Sequence, residues 1–251
     1  IIAVVARWRP AARERPALPE RVGSAVAAGL RFTRHSPPLR AVLVRTAAFI
    51  FAASALWALL PVVATRQLGL GATGYGVLLG SIGLGAVGGA AVLPRLRERW
   101  TVDRLVAAFT LVFAAGMFAL AYADNLLLLN AALVGVGMAW LTITSSLNVA
   151  AQTTTPAWVQ ARALGIYLLV FQGGFAGGSA GWGLAAERMG ERGALLVAAA
   201  LLLLGLAAGL RWRLHAREEL DLRPSQHWPE PALAIEPDAE GGRVLVTVEY
   251  R

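Results

Sequence analysis

Long runs without a charged residue recur along the sequence and constrain the fold more than any other feature. The hydrocarbon core of a bilayer is about 30 Å thick, so a helix needs roughly 20 apolar residues to cross it. Six segments meet this requirement: 46–65, 68–94, 105–123, 126–151, 163–186 and 194–210. The uncharged run 125–161 is too long for one crossing, and the Thr-Thr-Thr-Pro sequence at 153–156 predicts a break there. We therefore expect an all-α membrane protein with six transmembrane helices.

The composition excludes a water-soluble globule, because 57% of the residues are apolar and only 15% are charged. All 23 basic residues are arginines, and they exceed the 15 acidic residues by eight. The chain contains no cysteine, which excludes disulfide bonds, a thiolate nucleophile and cysteine-based metal sites.

The arginines predict the orientation, because basic residues collect on the cytoplasmic side of membrane proteins. They are frequent before the first span, between the second and third (Arg95, Arg97, Arg99, Arg104) and after the last (Arg211, Arg213, Arg217, Arg223). The other connections carry one arginine, one aspartate, or a group whose charges cancel (Glu187, Arg188, Glu191, Arg192). We expect a multi-pass protein of the cell (inner) membrane with both ends of the chain in the cytoplasm.

Four regions follow along the chain. Residues 1–40 form a cytoplasmic linker, in which Val22, Val26, Gly29, Leu30 and Thr33 recur at helical spacing opposite Arg21, Arg31 and Arg34. This pattern favours an amphipathic helix on the inner membrane face over a plain cytosolic linker helix. Residues 41–212 hold the six spans, and 213–243 form a charged, proline-rich linker. Residues 244–251 alternate as a β-strand does and predict the start of a truncated soluble domain.

Two signatures of catalysis occur in the wrong context. Gly83, Gly85 and Gly88 match a dinucleotide-binding fingerprint but lie within a membrane span. The Gly-x-Ser-x-Gly sequence at 177–181 matches a nucleophile elbow, which needs a histidine and an acid as partners. No His, Cys, Asp or Glu lies inside any predicted span. We therefore predict no enzyme activity, no cofactor and no metal site.

Glycines four residues apart present flat surfaces on which membrane helices pack closely. The second and fifth spans concentrate such glycines, and we predict that they are helix-packing residues: Gly76, Gly80, Gly85, Gly89, Gly173, Gly177 and Gly181.

Polar side chains inside the spans are the candidates for a substrate surface. Ser145, Asn148 and Gln152 share one face of the fourth span, and Gln172 adds an amide to the fifth. Two interpretations remain open, because these groups either line a transport pathway or form hydrogen bonds between helices. Proton-coupled transport commonly uses carboxylates within the membrane, and these spans contain none.

The order of spans and two local sequences resemble the C-terminal half of a major facilitator superfamily transporter. These are the basic segment Pro-Arg-Leu-Arg-Glu-Arg at 94–99 and the glycine-rich run at 173–183, which follows Arg-Ala-Leu-Gly-Ile-Tyr at 162–167. The sequence is most similar to the bacterial transmembrane secretion effector group, which includes enterobactin-type exporters. The segment 94–99 corresponds to the superfamily's cytoplasmic gating loop, which carries a motif with an aspartate, glycines and basic residues. Arg95 and Arg99 keep basic positions of that motif. Pro94 replaces its aspartate, and Arg97 replaces its second glycine.

The resemblance implies that the spans are helices seven to twelve of a twelve-helix fold and that residues 1–6 end helix six. It implies secondary active export of a small molecule by alternating access. The expected partners are the lipid bilayer, a small-molecule substrate and the N-terminal six-helix half of the same transporter, with no nucleic acid. The alternative is a membrane scaffold, or an anchor for a C-terminal soluble domain, that transports nothing.

Overall fold

The computed structural model describes residues 22–122, 125–156 and 159–214, and all regular structure in these ranges is helical. The helices are α1 (Val22–His35), α2 (Pro37–Val62), α3 (Ala72–Arg99), α4 (Val102–Tyr122), α5 (Leu126–Thr153) and α6 (Gln160–Arg211). A π-helical turn, Val63–Gln67, extends α2. The predicted all-α class is confirmed for these residues. The strand predicted at 244–251 and most of the linker predicted at 213–243 lie outside them.

Five of these helices are long and apolar enough to cross a membrane: α2 with its π-helical turn, α3, α4, α5 and α6. The spans predicted at 163–186 and 194–210 both lie in α6, and the charged group between them surrounds a kink at which two helices meet.

Helix α6 divides at Gly190, whose backbone angles (φ 78°, ψ 162°) are not helical. Glycine adopts a positive φ without the steric cost that a Cβ imposes. We call residues 160–189 the first arm of α6 and residues 191–211 its second arm.

The helix ends follow local capping rules. Asn125 precedes α5, and its Oδ1 accepts hydrogen bonds from the backbone N–H groups of Leu127 (2.8 Å) and Leu128 (3.3 Å). Asparagine is favoured at this position because it satisfies N–H groups that have no partner within the helix. Helix α2 begins with Pro37 and Pro38, which have no N–H to leave unpaired.

Helix α2 occupies the centre of the bundle, and α3 lies at its edge. In the most apolar stretch of each helix, 61% of α2 is buried but only 33% of α3. Helix α2 packs mainly on α6, α3 packs mainly on α5, and α4 contacts both α5 and α6. Their common core contains the buried residues Ile50, Leu56, Phe113, Leu133 and Tyr167. Helix α1, where an amphipathic helix was predicted, packs on α6 and α2.

Candidate transport surface

Asn148 and Gln152 lie one turn apart on α5 and are joined to each other. The Nε2 atom of Gln152 donates a hydrogen bond to Oδ1 of Asn148 over 2.5 Å. A hydrogen bond also joins Asn148 to the hydroxyl group of Tyr167, a buried residue of the first arm. The backbone oxygen of Gln152 accepts a hydrogen bond from Nε2 of Gln160 (3.3 Å). These contacts connect the end of α5 to the start of α6.

Ser145 contacts a different helix. Its hydroxyl group accepts a hydrogen bond from Nη2 of Arg97 over 3.0 Å. The segment 94–99 was predicted as a gating loop, but it continues α3 as a helix to Arg99. Arg97, which replaces a glycine of the gating motif, makes this contact, and it is exposed, as are Arg95 and Arg99.

Gln172 does not join this group of polar side chains. It lies on the exposed side of the first arm, near Gly173 and Gly177. Three of the four predicted lining residues therefore take part in hydrogen bonds between side chains. Gln172 is the one that stays open to its surroundings in the described bundle.

An aromatic cluster centred on Trp140 was missing from the sequence predictions. The ring of Trp140 lies 5.3 Å from Trp57 and 6.0 Å from Phe49, both on α2, measured between ring centroids. It lies 6.3 Å from each of Phe171 and Phe175 on the first arm. These residues are far apart in the sequence, so no local pattern groups them. The available signal was the position of Trp57 and Trp140 within spans, away from the interfaces that tryptophan prefers.

Several buried polar atoms near these helices have no hydrogen-bond partner among the described residues. They are the hydroxyl groups of Thr46, Thr142 and Ser146 and the indole nitrogen of Trp57. An unpaired buried polar group costs about 1 to 3 kcal/mol. The interior between α2 and α5 is therefore more polar than the predicted face of α5 alone indicated.

The seven predicted packing glycines divide into two groups. Gly85 and Gly89 lie against α5, where a Cβ on Gly89 would be 3.1 Å from Cα of Met138. A Cβ on any of the other five would meet open space within the described chain: Gly76, Gly80, Gly173, Gly177 and Gly181.

The glycine of the first arm that makes a close contact is Gly178, one position after a predicted residue. Its Cβ position lies against the Ser54 side chain and 2.8 Å from the carbonyl oxygen of Phe51, both on α2. Gly137 of α5 was also missed, and it packs on the backbone of Ile82 in α3. Neither glycine belongs to the spacing patterns that were counted.

Comparison with known families identifies the chain. The model of the transmembrane secretion effector family matches residues 1–251, so the chain belongs to this family of major facilitator membrane transporters. A search of curated proteins finds no match.

Proposed function

We propose that this transmembrane secretion effector is a secondary active transporter that exports a small molecule across the cell inner membrane by alternating access. The family and the five long apolar helices support the general assignment to membrane transport.

Six crossings account for the helices better than five. The first arm of α6 has 30 residues and the second has 21, so each is long enough to cross a hydrocarbon core of about 30 Å. Contacts next to Gly190 fit a turn at the membrane surface, because Arg192 bonds to the end of α4 and Arg66 at the end of α2 pairs with Glu191. An even number of crossings places the start of α2 and the end of α6 on the same side, which we propose is the cytoplasm.

The proposal rests on one observation: α3 and the first arm each leave a surface of glycines uncovered. Each of these helices buries one side against a neighbour and leaves flat positions uncovered, among them Gly76 and Gly80 on α3 and Gly177 and Gly181 on the first arm. Small residues are enriched where membrane helices approach one another. We therefore propose that a second six-helix half covers this surface and that the substrate passes between the two halves.

Gln172 is our first candidate for contact with substrate, because it is polar, exposed and placed on the open side of the first arm. Asn148 and Gln152 lie at the end of α5, where their mutual hydrogen bond leaves an N–H of Asn148 and the side-chain oxygen of Gln152 for further partners. Ser145, bonded to Arg97, would line the pathway only where α3 and α5 separate.

Alternating access can be tested without knowing the substrate, because the chain has no cysteine. A single cysteine in place of Gln172 should react with an impermeant maleimide in right-side-out vesicles and also in inside-out vesicles. Leu204→Cys is the matched control, since Leu204 is exposed on the second arm and should face lipid. Reaction of the Gln172→Cys variant from one side only, or from neither, would contradict alternating access, and the second result would favour a scaffold.

The proposed orientation has its own test. Cysteines replacing the exposed residues Glu98 and Arg188 should react from opposite sides, with position 98 labelled only in inside-out vesicles. Labelling of position 98 in intact cells would reverse the topology.

The proposed partner can be tested by copurification of this chain with a separately expressed N-terminal half. Gly177→Leu should lower recovery of the complex, because a large side chain would fill a flat contact surface. Val197→Phe, at an exposed position of the second arm, is the control and should leave recovery unchanged. Equal recovery with both variants would mean that the first arm does not contact the N-terminal half.

A further inference from the structure

We infer that Arg45 and Asp103 are positioning residues that, together with Arg192, hold the second arm of α6 against α2 and α4 as one rigid unit during transport. The inference rests on the proposed transport function, because only transport would give the rigid unit a role. The contacts that Arg45, Asp103 and Arg192 make are seen in the fold itself.

At one end of the second arm, a single carboxylate binds two other segments. The guanidinium group of Arg45, on α2, forms an ion pair with Asp103 in the first turn of α4. The same carboxylate accepts the backbone N–H of Leu214, just after α6, at 3.3 Å from Oδ1 and 3.2 Å from Oδ2. Asp103 therefore joins the start of α2, the start of α4 and the end of α6.

The surroundings of Arg45 make this junction specific. The Arg45 side chain is only 6% exposed, so its charge depends on the carboxylate for compensation. It passes over Gly209 of the second arm, where an added Cβ would lie 3.4 Å from Nη2 of Arg45. Gly205, one turn earlier, faces Ala48 of α2 in the same way. Gly209 thus brings the backbone of the second arm next to the guanidinium group, and Gly205 brings it next to α2.

The other end of the second arm is held by Arg192. Its Nε atom donates a hydrogen bond to the carbonyl oxygen of Ala121 over 2.8 Å, in the last turn of α4. Carbonyl groups in a last turn have no partner within their own helix. The Arg192 guanidinium carbon also lies 5.0 Å from the ring centroid of Tyr122, within the range of a cation–π interaction.

Between these ends, the second arm buries aliphatic side chains, among them Leu195, Ala198 and Leu202. Aliphatic contacts alone would let the second arm slide along its neighbours, because lipid tails are as apolar as leucine and exposing leucine to them costs little free energy. The polar contacts at both ends fix the position of the arm along α4. The ion pair between Arg66 and Glu191, which also lies in the second arm, adds little to this fixation, because the Arg66 side chain is 77% exposed.

Distances between spin labels can test this inference on the full chain in liposomes. One pair of labels replaces Leu111 on α4 and Leu204 on the second arm, and a second pair replaces Val149 on α5 and Leu169 on the first arm. All four positions are exposed. We expect the distance between Leu111 and Leu204 to stay the same at pH 5.5 and 7.5 and with or without an imposed proton gradient in liposomes. A change of several ångströms in that distance in the wild-type background would overturn the inference.

Two variants of one residue separate positioning from packing. Asp103→Asn removes the negative charge, and we expect the Leu111–Leu204 distance distribution to become about twofold broader, with less change in the Val149–Leu169 pair. Asp103→Glu keeps the charge and both acceptor oxygens, so it should restore a narrow distribution. A merely steric role for Asp103 predicts the reverse order, because asparagine has the shape of aspartate and glutamate does not.

An unchanged distribution in Asp103→Asn, or equal broadening of both label pairs, would contradict the inference. Arg45→Leu/Asp103→Leu is the second variant, since an apolar pair can replace a buried ion pair without loss of folding. It should also broaden the Leu111–Leu204 distribution, because leucine cannot accept the Leu214 N–H. These measurements do not involve substrate, so failure of the Gln172→Cys labelling test would leave their outcome interpretable.

Discussion

The contact between α3 and α5 and the outward side of the first arm both contain glycines four residues apart, yet only the former is a contact within this chain. In α3, a Cβ on Gly85 would overlap the carbonyl oxygen of Val134, and in α5 a Cβ on Gly137 would overlap that of Ile82. On the first arm, Gly173 and Gly177 have open space at the same position. The comparison teaches that glycine spacing identifies a flat helix surface but does not identify what covers it.

The α3–α5 contact is also closed by polar bonds on either side of its glycines. Ser81 of α3 donates a hydrogen bond to Oδ1 of Asn130 over 2.6 Å, and Arg97 bonds to Ser145 at the other end. The first arm carries the polar side chains Gln172 and Ser179 near its outward glycines. A closed contact and an open one are thus distinguished by interhelical hydrogen bonds, which a single helix cannot reveal.

The largest effect is expected for Gly85→Ala and Gly137→Ala. The added methyl group would meet a backbone oxygen, which cannot rotate away, so the two helices must separate. Overpacking costs about 1 to 3 kcal/mol and occasionally more, and a backbone clash belongs at the upper end. Thermal unfolding in detergent and abundance in the membrane measure the loss.

Gly83→Ala is the matched control for this prediction. Gly83 lies on the same helix two residues before Gly85, and a Cβ there meets open space. Alanine is also a better helix former than glycine, so this variant should be neutral or slightly stabilised. Equal unfolding temperatures for Gly83→Ala and Gly85→Ala would mean that the close contact is absent in the membrane.

A smaller difference is expected between Gly178→Ala and its neighbour Gly177→Ala. Alanine at 178 meets the Ser54 hydroxyl, which can rotate, and the Phe51 carbonyl oxygen, which cannot. We expect a loss of about 1 to 3 kcal/mol for Gly178→Ala and almost none for Gly177→Ala when the chain is purified alone. Unfolding in detergent measures the stability of both variants. A larger loss for Gly177→Ala than for Gly178→Ala would support the packing contact at Gly177 that the glycine spacing predicted.

Residue spacing located the helices well because the bilayer imposes a length and excludes charge. The predicted spans at 105–123 and 126–151 each differ from α4 and α5 by at most three residues at either end. The kink inside α6 could not be predicted in detail, because charged residues at 187–192 fit a surface loop as well as a short break between two helices. Gly190 interrupts the helix there with a positive φ, and the amino-acid sequence alone does not show which glycine adopts a positive φ.

The candidate site was less predictable than the helices, because its contacts depend on which faces meet. The pairing of Asn148 with Gln152 follows from their four-residue spacing on one helix. The bonds from Asn148 to Tyr167 and from Arg97 to Ser145 join different helices, and they depend on the relative rotation of those helices. The aromatic cluster and the Arg45–Asp103 pair were missed for the same reason.

The bonded end of α5 and the open side of the first arm can be compared through their amides. Asn148→Leu would leave the buried Tyr167 hydroxyl without this partner, and we expect a loss of about 1 to 3 kcal/mol of stability. Gln172→Leu should leave stability unchanged and should alter the concentration dependence of transport if Gln172 contacts substrate. Detergent unfolding and transport assays on both variants measure the two properties. Loss of stability in Gln172→Leu would place that side chain in a contact within the chain.

The smallest effect is expected for Trp182→Phe, which tests the polar bond that accompanies Gly178. The indole Nε1 of Trp182 donates a hydrogen bond to the carbonyl oxygen of Phe51 over 2.8 Å, and its ring lies 5.9 Å from that of Phe51. Phenylalanine keeps most of the ring contact and removes the donor, so we expect a loss of about 0.5 to 1.5 kcal/mol. Trp100→Phe is the control, because Trp100 is 43% exposed. If both variants unfold at the wild-type temperature, the first arm is held to α2 by the fit of Gly178 alone, and its contact differs from that of α3 and α5 in having no polar support.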